Sequence, residues 1–155
     1  MPIILSILFV IISVTSSFGQ GVWSDVVRNF GFKSGKLDVN GKVHQINLGA
    51  NLEGANLEGA DLLNVDLRRS NLKEANLKVA DLRYANFLGT NLSGARLREA
   101  KLNNAVLSEA NFTGANLVEA NLTDAGAYEI ILSGADLSGA NLSGVDFCYG
   151  ILKDA

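Results

Sequence analysis

A five-residue period runs from Ala50 to the last residue, and it constrains the fold more than any other feature of the sequence. Twenty-one consecutive units fit between residues 50 and 154, and Ala155 begins another. The third position is Leu or Phe in twenty units, with Ala127 as the exception, and the first position is Ala in fifteen. The second position is Asn or Asp in fifteen units, whereas the last two positions vary and carry most of the charge. Self-similarity of this kind is typical of solenoids and repeat arrays.

The period fits neither standard secondary-structure element. A helix would place apolar residues at i, i+3, i+4 and i+7, and a long strand would alternate throughout. Within one unit, however, the triplet Ala-Asn-Leu points inward, outward and inward, as three residues of extended chain do. Two exposed residues then turn a corner, and corners of one hand make a coil. We expect successive coils to stack at strand spacing, about 4.8 Å, through backbone hydrogen bonds.

Units such as ANLEG at 50–54 and ADLSG at 135–139 resemble the A[ND]LXX pattern of the pentapeptide repeat family. The resemblance covers residues 50–155, about two-thirds of the chain. It implies an all-β fold, a right-handed quadrilateral parallel β-helix with four units in each coil. Twenty-one units would then make slightly more than five coils and a rod roughly 25 Å long.

Each coil of such a rod would enclose four Leu or Phe side chains and four small ones. Burial of one Leu contributes about 2 kcal/mol, so five coils gain some tens of kcal/mol before the conformational entropy is subtracted. The Asn and Asp side chains at the second position are expected to stack on like residues in neighbouring coils and to bond the corner backbone.

Residues 3–14 form a twelve-residue apolar stretch, which is short for a membrane span of about 20 residues and typical of the core of a signal peptide. Ser17 and Gly19 are small residues at the −3 and −1 positions of a cleavage before Gln20, although no Lys or Arg precedes the stretch. We predict a signal peptide over residues 1–19 and export to a periplasm, an extracellular space or a thylakoid lumen. The main alternative is a membrane anchor formed by an uncleaved N-terminal segment.

Residues 20–49 differ in composition from the repeats, and we predict that they form a small N-terminal cap over the open end of the solenoid. Ser24 is placed to cap a short helix that Gly31 would end. Asn40-Gly41, flanked by alternating residues, predicts a hairpin, so the cap is expected to hold a short helix, a hairpin or both. His44 is interpreted as a cap-surface residue rather than a metal ligand or catalytic group, because no second His and no Cys lies nearby.

Two neighbouring units depart from the repeat pattern. Ala127 puts a methyl group where Leu belongs, and Ile130 puts a large side chain where Ala belongs. Tyr128 and Glu129 lie at the corner between them. We therefore predict a local bulge or short loop over residues 126–131, with packing compensation favoured over a functional loop.

The last units include Phe147, Cys148 and Tyr149, and no terminal helix follows them. This apolar end is expected to be exposed, frayed or buried against another copy. The resemblance to family members that dimerise end to end favours a homodimer through it. Cys148 is the only cysteine, which excludes an intramolecular disulfide and leaves a thiol that is either buried or paired between chains.

A coil of twenty residues places Lys78 and Arg98 one above the other, with Arg96 beside them and with Arg83 and Lys101 on the next face. These five residues, the basic surface, are a candidate interaction surface. A mixed, solvated surface is the simpler interpretation, because acidic residues surround them. Nucleic-acid binding is not expected, since neither a larger basic excess nor stacking aromatic residues are present. The acidic residues are Glu58, Asp61, Asp81, Glu99, Glu119 and Asp136.

The sequence predicts no catalytic residue, no metal ligand and no cofactor site. It lacks a phosphate-binding loop, a metal-spaced Cys/His set and a G-x-S-x-G motif. A core filled by Leu is expected to leave no pocket for a small-molecule substrate. The leading hypothesis is therefore a non-enzymatic structural or protein-interaction scaffold, exported, with an unknown protein partner.

The alternative hypothesis is a DNA-mimicking inhibitor or protector of a topoisomerase such as gyrase, a role that some relatives of this repeat class perform. Residues 50–155 hold fourteen acidic and nine basic residues, a net charge of −5, with the two signs interspersed. This distribution is weak mimicry of DNA, and export would separate the protein from such a target.

Overall fold

The computed structural model describes residues 22–29, 32–39 and 41–155, so the predicted signal peptide lies outside the described residues. The segment before the repeats forms a three-stranded antiparallel sheet, in the order β1 (Val22–Asn29), β2 (Phe32–Val39), β3 (Lys42–Ile46). The short helix beginning at Ser24 was a wrong prediction, because residues 22–29 are strand and pair with β2. Val22, Val26 and Val27 have high strand propensity, and pairing with β2 outweighs the local capping signal.

Strands β2 and β3 pair across residues 40 and 41, where the hairpin was predicted from the sequence. Val39 lies opposite Lys42, which leaves a two-residue connection, and Gly41 has a φ of 77°. Positive φ in a two-residue turn matches the twist of the flanking strands and favours Asn-Gly.

The sheet is joined to the first coil through β2. The Lys33 amide donates to the Asn64 carbonyl at 2.7 Å, and the Asp66 amide donates to the Lys33 carbonyl at 2.9 Å. Leu37, Val39 and Ile46 are buried in one continuous cluster with the side chains of the coils. The three strands therefore cover part of the first coil, as a cap does.

The repeats wind into a coil with four units per turn. Second-position residues pair in parallel with residues twenty positions away, as Asn51 does with Asn71 and Arg96 with Asn116. The third-position amide donates to the second-position carbonyl of the next coil, for example Leu97 N to Asn116 O at 2.7 Å. Twenty-one units at four per turn make slightly more than five coils.

Each corner is a β-turn that needs a left-handed residue. The first-position amide bonds the third-position carbonyl of the unit before it, as Ala55 N does to Leu52 O at 3.0 Å. All twenty-one fifth-position residues have positive φ, eight of them glycines and thirteen with side chains. Positive φ at the third residue of a β-turn characterises type II turns.

Inward-facing side chains fill the interior of the rod. The third-position Leu and Phe residues and the first-position Ala residues are fully or almost fully buried through Ala135, Phe87 and Phe112 among them. Burial decreases in the last coil, where Leu142 and Phe147 are only partly buried. Within the part of the chain that the structure describes, no helix combines the length and apolar character needed to cross a membrane.

The second-position Asn and Asp residues make the two contacts predicted for them. The Lys78 amide donates to Asn76 Oδ1 at 3.4 Å, and the same bond recurs at corner after corner. Asn76 Nδ2 also donates to Asn56 Oδ1, one coil away, at 3.0 Å. The side chains therefore hold their own corner and link it to the neighbouring coil.

Candidate interaction surface

The residues of the basic surface lie on two adjacent faces of the rod. Arg96 sits at a second position, between Asn76 and Asn116 of the neighbouring coils. Lys78 and Arg98 occupy fourth positions twenty residues apart. The backbone of Lys101 forms parallel β-bridges with Asp81 and Asn121 of the neighbouring coils. The coil geometry thus places these cations in adjacent coils, as the twenty-residue spacing predicted.

Arg83 and Arg98 are engaged within the chain. Arg83 holds Asp81 with two bonds, Nε to Oδ1 at 2.7 Å and Nη2 to Oδ2 at 2.6 Å. Arg98 donates to Glu99 at 3.1 Å and to Glu119, one coil away, at 2.8 Å. These hydrogen bonds and charges raise the pKa of both guanidinium groups, so both stay charged but are locally compensated.

Lys78, Arg96 and Lys101 form no ion pair within 4 Å among the described residues. Arg96 and Lys101 are exposed, and Lys78 is half-buried. These three cations thus present charge to solvent on neighbouring coils. The charges of Arg83 and Arg98 beside them are compensated by carboxylates of the chain.

The bulge or loop predicted over residues 126–131 does not form. Gly126 pairs with Val106 and Asp146, and Ile131 pairs with Asn111 and Ile151, at the same spacing as every other unit. Ala127 and Ile130 are fully buried, and Tyr128 and Glu129 occupy an ordinary corner. The prediction was wrong because an inter-coil backbone ladder continues through a unit even when its side chains are atypical.

The predicted end-to-end contact residues are placed in the last full coil. Phe147 is partly buried against the core, Cys148 is exposed, and Tyr149 is 79% exposed. The Tyr149 ring meets that of Tyr128, one coil earlier, edge to face at 5.4 Å between centroids. Hydrogen bonding to Asp146 and its charge raise the pKa of the Cys148 thiol, which favours the unreactive form.

The inter-coil amide bonds differ in the last coil. In the earlier coils the third- and fifth-position amides bond carbonyls of the next coil, as Gly134 N does to Lys153 O at 2.9 Å. The corresponding amides of Leu137, Gly139 and Phe147 have no acceptor among the described residues.

His44 does not lie on the cap surface, contrary to the prediction from sequence. Its side chain is buried on the same face of β3 as Ile46. Among the described residues, no group of three or more His, Cys, Asp or Glu side chains is placed to hold a metal ion.

Sequence reasoning missed two further features. One is the left-handed backbone conformation of the fifth position. The eight glycines at that position indicate it, but the thirteen residues with side chains, which share it, do not. The other is the ion pair of Asp66 with Arg68, at 2.7 Å from Nη2 to Oδ2. Asp66 is buried, and the hydrogen bonds from Arg68 hold the pKa of its carboxyl below the usual range.

The coil geometry defines a solenoid repeat protein whose turns hold four five-residue units. The family profile described as pentapeptide repeats matches residues 49–83, 62–98, 90–125 and 130–155, with eight copies. The chain therefore belongs to the pentapeptide repeat family, and its fold is the right-handed quadrilateral β-helix. The sequence-based assignment of family and fold class is confirmed.

Solved structures of the same family are similar to this chain. The pentapeptide repeat protein Rfr23 from the cyanobacterium Cyanothece 51142 is 30% identical, with a TM-score of 0.59 over 67% of this chain and 88% of that one. A pentapeptide repeat protein from the Arabidopsis thaliana thylakoid lumen is 31% identical, with a TM-score of 0.48 over 64% of this chain and 63% of that one. A comparison with curated protein sequences found no match.

Proposed function

We propose that this pentapeptide repeat protein is a non-enzymatic scaffold that binds a protein partner on the outside of its rod. The observation that carries the proposal is the filled interior, in which first- and third-position side chains pack against one another at almost complete burial. Such a core directs recognition to the outer second, fourth and fifth positions, of which the fourth and fifth vary most.

The basic surface is the part of that exterior that we propose contacts the partner. Lys78, Arg96 and Lys101 present charge that no acidic side chain of the described residues compensates within 4 Å. A partner with acidic side chains or backbone carbonyls would complement them, and exposed charges of this kind act on association rate and specificity.

Charge reversal tests this surface. Proteins crosslinked to the chain in its native host would be identified, and binding of the purified candidate measured for Arg96→Glu and Lys101→Glu. Lys153→Glu is the matched control, because it makes the same charge change in the last coil. We expect the first two variants to weaken binding about tenfold and the control to leave it unchanged. Equal affinity of all three variants and the parent chain would exclude the basic surface.

We also propose that the protein acts after export, on the basis of the sequence of residues 3–19. Cell fractionation with N-terminal sequencing tests this. A mature protein that starts at or near Gln20 in an exported fraction supports cleavage. A membrane fraction that retains residues 1–19 supports the anchored alternative, and a full-length cytoplasmic protein contradicts export.

A homodimer through the last coil is a further part of the proposal. The partly exposed Phe147 and the exposed Tyr149 present apolar surface in this coil. Sedimentation equilibrium would measure the mass in solution. We expect Tyr149→Glu to dissociate the dimer and Tyr84→Glu, at an equivalent corner, to leave it intact. A monomeric parent chain at millimolar concentration would exclude the dimer.

DNA mimicry has less support in the placement of charges. Acidic rows along the rod are interrupted, because Arg98 bridges Glu99 and Glu119 and Lys73 lies 3.8 Å from Glu53. A gyrase supercoiling assay separates the two hypotheses. We expect no inhibition at micromolar protein, and inhibition that depends on the acidic residues would favour the alternative.

A further inference from the structure

The cap holds one buried imidazole with an unsatisfied nitrogen. His44 lies in the middle of β3, is 7% exposed, and stands opposite Leu37 of β2 in the register of the sheet. Its Nε2 atom is buried and has no hydrogen-bond partner among the described residues. A neutral imidazole can leave one nitrogen as an unused acceptor at modest cost, whereas a protonated imidazole donates from both nitrogens and carries a charge.

The surroundings of His44 disfavour its charged form. Burial lowers the pKa of the imidazole, the Lys42 ammonium on the same strand lowers it further, and only the Asp38 carboxylate on β2 opposes them. Lys36, the other charged residue of β2 nearby, stands opposite Gln45. The ion pair of Lys33 with Asp61, at 3.6 Å, joins β2 to the first coil.

The strand that carries His44 also helps to close the first coil. Ile46, two residues on, is fully buried in the cluster that continues into Leu52 and Leu57. The neighbouring β2 bonds the coil backbone through Lys33. A charge introduced at residue 44 would therefore destabilise the packing of the sheet on the first coil. It would not affect the backbone hydrogen bonds between the coils.

We propose that His44 makes the cap an acid-sensitive closure of the rod. Protonation of the imidazole loosens β2 and β3 from the first coil and frees the Asn64 carbonyl and the Asp66 amide, while the coils stay folded. Acid would thus expose a backbone edge at this end of the rod that neutral conditions keep covered.

The direction of the effect follows from linkage. A histidine whose folded pKa lies below its unfolded value stabilises the cap fully above the unfolded pKa of about 6.5, and this contribution is lost as the pH falls towards the folded pKa. The equilibrium between closed and open cap should shift roughly tenfold for each pH unit across that window. Because the chain has one histidine, the imidazole signal in a titration can be assigned without ambiguity.

Two measurements on the purified full chain test the proposal. An NMR titration of the single imidazole should give a midpoint below about 6.5. Amide exchange, corrected for intrinsic rates, should show the protection of residues 42–46 falling between pH 7 and pH 5.5, by at most about tenfold, with that of residues 90–125 unchanged. His44→Phe, which keeps the ring but cannot take up a proton, should abolish the fall.

Either of two results would overturn the proposal. One is a titration midpoint at or above the ordinary histidine value, which shows that the folded state does not disfavour the protonated imidazole. The other is an equal loss of cap protection in the parent chain and in His44→Phe, which assigns it to carboxylates. If His44→Phe leaves the cap unfolded at neutral pH, the titration and exchange of the parent chain still decide the matter.

Discussion

Ile130 Cγ2 lies 3.2 Å from the point that a Cβ atom on Gly150 would occupy, twenty residues and one coil further along. The two residues hold the same first position in successive coils, where most units have Ala. The large side chain in one coil is therefore accommodated by the absence of a side chain in the next. This pairing lets the regular ladder through residues 126–131 accommodate Ile130 without a bulge.

Gly150→Ala should destabilise the protein by about 1–3 kcal/mol, because the new methyl group would also lie 3.0 Å from the Phe147 carbonyl oxygen. The measurement is thermal or denaturant unfolding. The penalty should shrink in an Ile130→Ala background, where Cγ2 is gone. Gly126→Ala is the control, since nothing lies within 4 Å of its added Cβ. Equal penalties in both backgrounds would show that the two residues are not coupled.

Val79→Asn should stabilise the protein by about 1 kcal/mol. Val79 is 51% exposed and has a φ of 57°, a conformation that costs a β-branched residue energy and that Asn tolerates. Unfolding in denaturant measures the gain. Val118→Asn, at a fourth position of ordinary φ, should give none. A loss of stability in Val79→Asn would mean that Val79 makes contacts that outweigh its strain.

Thr90→Val should cost about 1 kcal/mol. Thr90 is 1% exposed, and its hydroxyl donates to the Leu67 carbonyl, one coil earlier, at 2.6 Å. Val fills the same space without the donor, and the carbonyl keeps its bond from Ser70 N at 3.1 Å. Thr113→Val removes a hydroxyl that bonds only within its own exposed unit, so its melting temperature should stay close to that of the parent chain.

Asp66→Asn should remove part of the acid sensitivity of the fold. Hydrogen bonds from Arg68 lower the pKa of Asp66 in the folded state. Its contribution is therefore complete above the unfolded pKa of about 3.9 and is lost as the pH falls through the lower folded value. The variant should be about 1 kcal/mol less stable at pH 7 and should lose less stability between pH 5 and pH 2.

Unfolding of both proteins across that range measures the difference. Asn at residue 66 keeps a side-chain Oδ1 that can accept from the Arg68 backbone amide, so the corner itself is preserved. Parallel pH profiles for Asp66→Asn and the parent chain would show that the ion pair with Arg68 does not contribute.

The period of five residues with fixed apolar positions predicted the inward-facing residues, and the resemblance of its units to the pentapeptide repeat family implied the coil size. The same reasoning misplaced particular residues. His44 has no sequence feature that marks it as buried, and the strand at Val22–Asn29 forms only because β2 pairs with it. Charge counting likewise could not show that Arg83 and Arg98 are held by Asp81 and Glu119.

The sequence by itself determined the solenoid. Each unit has its own inward-facing apolar positions, and stacking on the neighbouring units is enough to bury them. The tertiary structure decided everything that depends on contacts between coils or between cap and coil. Ile130 fits because Gly150 lies one coil away, and His44 is buried because β3 packs against the first coil. Contacts between residues far apart in the chain arise from stacking, and local patterns do not encode which atypical side chains will meet.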